Sequence, residues 1–364
     1  MSIKNAVIIV DSGFSQDAVA QVKNLIGFYD LNSGIAISGA PLIEGDRAQF
    51  VLHHLCGDPL NHGTIILRRL LEVNPDCAFV LVRAFDHDNR HIRTRWADGK
   101  FASDGWVEGY LWARQLCENR GLTSVANLSF GGFAHAQDGS GWESFKLAAA
   151  VGAPKVGHVL VAATGPGDGR AIHCSFTASE NTVVHGFQRG TSTYNLWVDR
   201  NVAGNSERSD WQLMVKVNGR EVAQYQGRFV PNNIWNDRQQ LTFVVEGEGN
   251  FEFSITPVAE PAPTRFDIFI SQSQEACFYN HVDDELVSEP ACLPHVIAVG
   301  LQSASYGKCC VGGVNKPEIK LAGNGPISFR TPEVTFAVAR MLESDPTLDI
   351  AQVRQTLLAE FGQQ

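Results

Sequence analysis

Four short, mainly apolar runs, Ala6–Val10, Phe79–Val82, Val125–Leu128 and Val159–Ala163, are spread through the first 170 residues. They constrain the fold more than any other feature of the chain. A strand with one wet face alternates polar and apolar residues. A strand without that alternation is covered on both faces, as in a parallel sheet between helices. Helical spacing fills the gaps: Ser15 predicts the cap of a helix through Val19, Val22, Leu25 and Ile26, and Thr64–Leu71 and Gly105–Leu116 read as further helices. Strand–helix alternation of this kind predicts an α/β layered fold with right-handed crossovers.

The pattern changes after Arg170. Strand-like stretches without helical period follow at Thr182–Phe187, Tyr194–Val198, Trp211–Val217, Glu221–Tyr225, Leu241–Glu246 and Phe251–Thr256. Val217-Asn218-Gly219-Arg220 predicts a hairpin, because Asn-Gly suits the type I′ turn. This region reads as an inserted antiparallel β-sandwich that closes near the proline-rich Pro257–Pro263. Its aromatic residues Tyr194, Trp197, Trp211, Tyr225 and Trp235 are expected to be core. Strands at Phe266–Ser271 and His295–Gly300, a strand-to-helix junction with a helix over Ser328–Leu342 and a last helix over Asp349–Phe361 resume the α/β pattern. The division is therefore 1–170, first part of the α/β domain; 171–265, insertion; and 266–364, second part. Two domains also suit 364 residues, at roughly 150 per domain.

A formal charge of −10 argues against nucleic acid and anionic membranes as partners, since phosphate contacts need clustered Lys and Arg. No run approaches the ~18 apolar residues of a membrane span. Ala6–Val10 is shorter than the ~7 residues of a signal-peptide core, so a cytoplasmic location is expected. The eight cysteines form no CxxC pair and no zinc spacing, which predicts free thiols. For an exported protein, a disulfide among Cys277, Cys292, Cys309 and Cys310 is the alternative.

Three short motifs place chemistry at element ends: Asp11 in Asp11-Ser12-Gly13, His62 in Asn61-His62-Gly63-Thr64, and Ser328 in Ile327-Ser328-Phe329-Arg330-Thr331-Pro332. A serine hydroxyl is a weak nucleophile that needs a base. A neutral histidine is such a base, and a buried aspartate holds its tautomer and stabilises the imidazolium. Each motif alone is weak; the order Asp, His, Ser and its surroundings carry more.

With these motifs the chain resembles the subtilisin-like serine proteases, the subtilases. Val7–Gly13 resembles their Asp motif, His62-Gly63-Thr64 their His motif, and Phe79–Phe85 the strand that follows. Trp106–Ala113 is similar to the helix after the substrate-edge loop, and Val125–Gly132 to the substrate-binding strand. His295–Gly300 and Lys316–Gly323 resemble the run-up to the Ser motif. The resemblance covers 1–170 and 266–364. It implies a three-layer fold with a mostly parallel sheet, interrupted by a jelly-roll-like insertion, a plan shared by bacterial subtilases that include the germination-protease branch of spore-formers. It implies Ser328 as nucleophile, His62 as base and Asp11 as orienter. Ser129, Phe130, Gly131 and Gly132 would pair with an extended substrate. The loop Arg83–Asp104, with His87, Asp88, Asn89, Arg90, His91, Arg93 and Arg95, would border outer subsites or stand as a solvated loop. A peptide or protein is the implied substrate, with no cofactor. Asp86–Asp88 and Asp283–Glu285 are the acidic runs that leave room for a structural calcium ion.

Three departures bear on activity. Where the family has Ala-Ala-Gly-Asn, this chain has Ala162-Ala163-Thr164-Gly165-Pro166-Gly167-Asp168, so Pro166 stands at the oxyanion-hole asparagine. Losing one such donor costs roughly 10²–10³-fold in turnover. Thr164 or a backbone N–H of Gly165, Gly167 or Asp168 would substitute, a partner would remodel the loop, or the chain is a peptide-binding pseudoprotease. Pro326-Ile327 replaces the family's Gly-Thr before the serine, and Glu333 stands where a histidine is common. Almost no chain precedes the first strand, where secreted subtilisins carry an inhibitory pro-segment; either it was removed or the chain never had one. Without it, narrow specificity, the weakened oxyanion hole or a regulatory protein partner would provide restraint.

Overall fold

The computed structural model describes residues 3–39, 45–85, 93–95, 102–135, 137–139, 142–152, 155–165, 170–178, 180–199, 211–227, 238–257 and 264–362. The α/β part opens with β1 Asn5–Asp11, α1 Gln16–Val19, β2 Leu25–Asp30, β3 Ile35–Ser38, α2 Gly45–Phe50, α3 His62–Val73 and β4 Ala78–Arg83. It continues with a short ribbon, β5 Arg93–Arg95 and β6 Ala102–Asp104, then α4 Gly105–Glu118, β7 Thr123–Leu128, α5 Trp142–Val151 and β8 His158–Ala163. The antiparallel region holds β9 His173–Ala178, β10 Thr182–Asp199, β11 Trp211–Val217, β12 Arg220–Gly227, β13 Arg238–Glu246, β14 Gly249–Pro257 and β15 Thr264–Phe278. The chain closes with β16 Ile297–Leu301, β17 Cys310–Val311, β18 Val314–Asn315, β19 Ile319–Leu321, α6 Thr331–Ser344 and α7 Ile350–Phe361.

The eight-stranded sheet has the order β19-β16-β8-β7-β1-β4-β2-β3, parallel except for β3 at its edge. All seven residues of β1 are buried, as its apolar run requires. Val7 and Ile9 face α3 (Ile66, Leu67, Leu70) and α6 (Val334, Val338), while Ala6, Ile8 and Val10 face α4 (Trp106, Val107, Tyr110). Helix–sheet–helix is the expected three-layer arrangement.

The expected helix from Ser15 ends early. Only Gln16–Val19 is helical, Ser15 makes no side-chain cap bond, and Leu25–Ile26 begins β2. Pairing β2 with β4 buries Leu25 and Phe28 in the sheet, which outweighs the weak helical period. In α7 the local signal prevails: Asp349 accepts from the Ala351 and Gln352 amides, and Gln352 returns the bond to Asp349 in a capping box.

In the antiparallel sheet, β10 spans the two expected strands Thr182–Phe187 and Tyr194–Val198 without a break. On one edge it pairs first with β14, over 182–188, and then with β13, over 191–199. The change of partner coincides with a shift in the β10–β15 register between Arg189 and Ser192. One strand thereby serves both layers around a single core of Tyr194, Trp197, Trp211, Phe243, Phe253 and Phe266. Asn218 (φ 51°) and Gly219 (φ 75°) make the predicted I′ turn between β11 and β12. Tyr225 packs partly buried against this core; Trp235 lies outside the described residues. Phe266–Ser271 is a correction: it belongs to β15, paired with β9 and β10 in the antiparallel sheet, not to the resumed α/β pattern. Phe266–Ile270 are all buried, as a strand of the parallel sheet would be, so this short run does not separate the two environments. Among the described residues, no helix is long and apolar enough to cross a membrane.

Candidate active site

Asp11 ends β1, and Ser129 and Thr164-Gly165 follow the carboxyl ends of the adjacent parallel strands β7 and β8, so all reach the same edge of the sheet. Strand order turns back beside β1, which is where open α/β sheets form their crevice. A cavity of about 1010 Å³ lies there, lined among others by Asp11, His62, Ser129–Gly132, Gly165 and Ser328.

His62 opens α3 after Asn61, which takes a left-handed conformation at φ 54°. Its Nδ1 lies 2.7 Å from Asp11 Oδ1, which also accepts the Ser12 amide at 2.7 Å. The helix start sits tightly on β1: a Cβ on Gly63 would fall 2.3 Å from Gly13 O and 2.9 Å from Asp11 Cβ. Only glycine admits this approach. Asp58 fixes the same corner, accepting Ser12 Oγ–H at 2.7 Å and the Thr64 amide at 2.8 Å. Burial of His62 opposes its charge, but the hydrogen bond and charge of Asp11, with the charge of Asp58, raise its pKa above the usual 6.5.

Ser328 is half-buried in a 3₁₀ turn, Ile327–Phe329, that leads into α6. The Phe329 ring stacks obliquely on His62 at 5.4 Å. A buried polar chain ties the turn to the sheet: Thr335 Oγ1 donates to Asn127 Oδ1 (2.9 Å), Asn127 Nδ2 to Ser129 Oγ (2.8 Å), and Ser129 Oγ to the Ser328 carbonyl (2.8 Å). Among the described residues, no hydrogen bond joins His62 Nε2 to Ser328 Oγ. Glu333 pairs with Arg330 on the first turn of α6.

The expected substrate strand is partly committed. The Gly132 amide donates to Glu289 O at 3.1 Å and its carbonyl accepts Gln137 Nε2 at 3.1 Å, so pairing with a substrate requires those bonds to open. Ser129, Phe130 and Gly131 line the cavity. In the oxyanion-hole region, Thr164 is fully buried, its amide donates to Val299 O, and its hydroxyl makes no hydrogen bond among the described residues. Thr164 is not among the cavity-lining residues, whereas Gly165 is. Pro166 and Gly167 lie outside the described residues, as do Asp86–Asp88 and residues His87–His91 of the outer loop.

The acidic run Asp283–Glu285 is engaged by protein groups. Asp283 pairs with His281, Asp284 Oδ1 accepts the Lys308 amide, and Glu285 pairs with Arg265. His173, Asp267 and Glu285 bring donor atoms within 4.8 Å of one another, but Arg265 already bridges the two carboxylates at 3.0 and 3.1 Å. The eight cysteines are free. Burial pushes the thiols of Cys56, Cys77, Cys117 and Cys309 up to about 12, which keeps them protonated and poor as metal ligands or nucleophiles.

Sequence reasoning missed Asp58, Thr335, Ser288 and Glu289, and assigned no role to Asn127. Asp58 carried a weak signal, a short carboxylate just ahead of a helix start. The others carry no local signal.

No protein-family model and no curated protein matches the chain. Among solved structures, the Clostridium perfringens CspB protease matches with a TM-score of 0.72 at 13% identity, over 98% of this chain and 86% of that one. The pre-peptidase C-terminal domain of collagenase from Bacillus anthracis (7% identity, 27% of this chain, 89% of that one) and a family 35 carbohydrate binding module from an environmental isolate (12%, 31%, 75%) each reach a TM-score of 0.20, too low to carry an argument. The chain therefore has the fold of a clostridial protease, with an antiparallel β-sandwich inserted in an α/β core.

Proposed function

We propose that this chain is a serine endopeptidase of the subtilisin-like type, acting through an acyl-enzyme on Ser328 with His62 as base and Asp11 as orienter. The observation that carries this reading is the 2.7 Å contact of His62 Nδ1 with Asp11 Oδ1 beside a cavity that Ser328 also lines. An ionised carboxylate only accepts, so Nδ1 bears the hydrogen and Nε2 keeps its lone pair for the serine proton. Ser328 Oγ attacks the scissile carbonyl as its proton passes to Nε2. The imidazolium so formed lies in the field of Asp11 and Asp58. It then protonates the leaving amine, and water repeats the sequence to free the acid.

The Ser328 amide, entering the turn before α6, is the oxyanion donor in this scheme. Pro166 supplies none, which lowers the expected turnover by roughly 10²–10³-fold relative to a site with both donors. The chemistry needs no cofactor. A peptide or protein is the substrate, and a regulatory protein partner working in the cytoplasm belongs to the same proposal. The fold shared with a protease supports the hydrolase class.

A second reading, a scaffold that binds peptides or a partner without turnover, is favoured by Pro166 and by the unmade bond between His62 and Ser328. That bond is commonly loose before substrate binds, so the first reading stands ahead. Labelling with a fluorophosphonate tests it: wild type should gain one adduct by intact mass and Ser328→Ala none. Folded wild type that stays unlabelled would refute the hydrolase.

A further inference from the structure

Part of the cleft wall comes from the inserted sandwich. Ser271 and Gln272, in the middle of β15, line the cavity that Ser328 also lines. The pairing of β10 with β15 brings them there. Thr193 pairs with Gln272 but Tyr194 pairs with Ile270, so Ser271 is left without a partner residue across the pair and β15 bulges at that point. A bulge bends its strand and re-aims the side chains around it. Ser271 Oγ turns back to donate to Thr193 O at 3.2 Å. Ile270 stays in the sandwich core, whereas Gln272 is exposed, and among the described residues its side-chain amide makes no hydrogen bond.

The same sandwich holds the continuation of the substrate strand. Phe133, which follows Gly132, is buried in the sandwich core, and its ring stacks on Phe269 of β15 at 5.6 Å. The Phe133 carbonyl accepts Asn195 Nδ2 of β10 at 3.4 Å, and the Ala134 carbonyl accepts Gln240 Nε2 of β13 at 2.6 Å. Asn195 is itself held, its Oδ1 accepting Thr242 Oγ1 at 2.6 Å. The main chain around Gly132 and the strand that carries Gln272 are therefore fixed relative to one another before a ligand arrives, which lowers the ordering cost of a ligand that touches both. Towards the loop after β8 the strand is closed: a Cβ on Gly131 or on Gly165 would fall 2.1 or 2.0 Å from Ser288 Oγ, so no side chain of a ligand passes between these glycines.

An uncharged amide side chain offers donors and an acceptor at once. Those match the N–H and C=O that each peptide unit presents, whatever its side chain. We propose that Gln272 hydrogen-bonds the main chain of an extended peptide lying along Ser129–Gly132, so that the inserted sandwich is part of the substrate site and reads the reach of the peptide rather than one of its side chains. The inference rests on reading the cleft as a peptide-binding site, but not on turnover. One neutral hydrogen bond of this kind is worth roughly two- to tenfold in affinity.

The test uses the full chain carrying Ser328→Ala and fluorescent alanine–serine peptides of about three to ten residues, read by anisotropy. Gln272→Met keeps the length of the side chain and removes its donors and acceptor; an unchanged midpoint of thermal unfolding shows that the variant is folded. The expected result is that Gln272→Met binds the longer peptides roughly two- to tenfold more weakly and the shortest equally well. Replacing one peptide bond at a time by an ester removes an N–H and weakens a C=O. At one position the ester should weaken binding only while Gln272 is present, the non-additivity that marks a direct contact. Equal binding of the longer peptides by both chains, a loss that is the same at every length, a loss coupled to no ester position, or no binding by any peptide would overturn the proposal. Fluorophosphonate labelling of the wild type reports the hydrolase reading separately. A length-dependent loss without labelling retains this inference and loses that one; labelling without such a loss does the reverse.

Discussion

Replacing Asn127 with alanine removes the centre of the polar chain that holds the Ser328 turn to the sheet. Asn127 is fully buried, donates to Ser129 Oγ at 2.8 Å and accepts from Thr335 Oγ1 at 2.9 Å. Each neutral hydrogen bond contributes about 0.5–1.5 kcal/mol net, so the two together contribute about 1–3 kcal/mol. Neither partner is left orphaned. Thr335 Oγ1 also reaches Thr331 O at 3.3 Å, and Ser129 Oγ still donates to Ser328 O. The small cavity left behind brings the total to about 2–4 kcal/mol. At roughly 2–4 °C per kcal/mol for a domain near this size, the midpoint of thermal unfolding should fall by about 4–16 °C. Activity should fall as well, because displacing a reacting group by ~1 Å costs on the order of 10²-fold. With a peptide substrate, kcat is expected to drop about ten- to a hundredfold with little change in KM. A midpoint within about 2 °C of wild type together with unchanged kcat would refute the positioning role assigned to this chain of bonds.

Asp11→Asn should lower the plateau of kcat/KM by about 10⁴-fold. Its acid limb should also move to lower pH, because His62, buried and without the Asp11 charge, loses its proton more easily. The raised His62 pKa gives a stability contribution present in full below pH 6.5 and lost as pH rises through the folded value, and this loss should vanish in Asp11→Asn when unfolding is followed against pH. Gly63→Ala places a methyl group against Gly13 O and Asp11 Cβ; about 1–3 kcal/mol of destabilisation and a large loss of fluorophosphonate labelling are expected, and labelling at the wild-type rate would contradict the tight corner. Glu318→Gln strips the buried Lys316 (2.8 Å) and Arg354 (2.9 Å) of their shared carboxylate, at a cost of about 3–5 kcal/mol by calorimetry. Burial holds the Lys316 pKa below 10.5, so the folded variant sheds that proton first and its deficit should shrink as pH rises toward 10.5; a deficit independent of pH would exclude a charged Lys316 as its source.

The sequence by itself determined the strands and helices whose burial is uniform or periodic. β1, β4, β7 and β8 are buried on both faces, and a strand of that kind has no need of polar alternation, so local composition identifies it. The Asn218-Gly219 turn and the last helix starting at Asp349 were likewise legible, because their bonds close within a few residues. The resemblance to subtilases also named Asp11, His62 and Ser328, which the fold then brings around one cavity. Tertiary structure alone decided what depends on a distant partner. Leu25–Asp30 is a strand because β4 pairs with it, and Thr264–Phe278 joins the antiparallel sheet because β9 and β10 flank it. Asn127 meets Thr335 across 208 residues, and Glu289 meets Gln137 across 152. Nothing near either residue marks such a meeting. A hydrogen bond is specified where its two ends converge, and for these residues that place exists only after the sheet and its covering helices have packed.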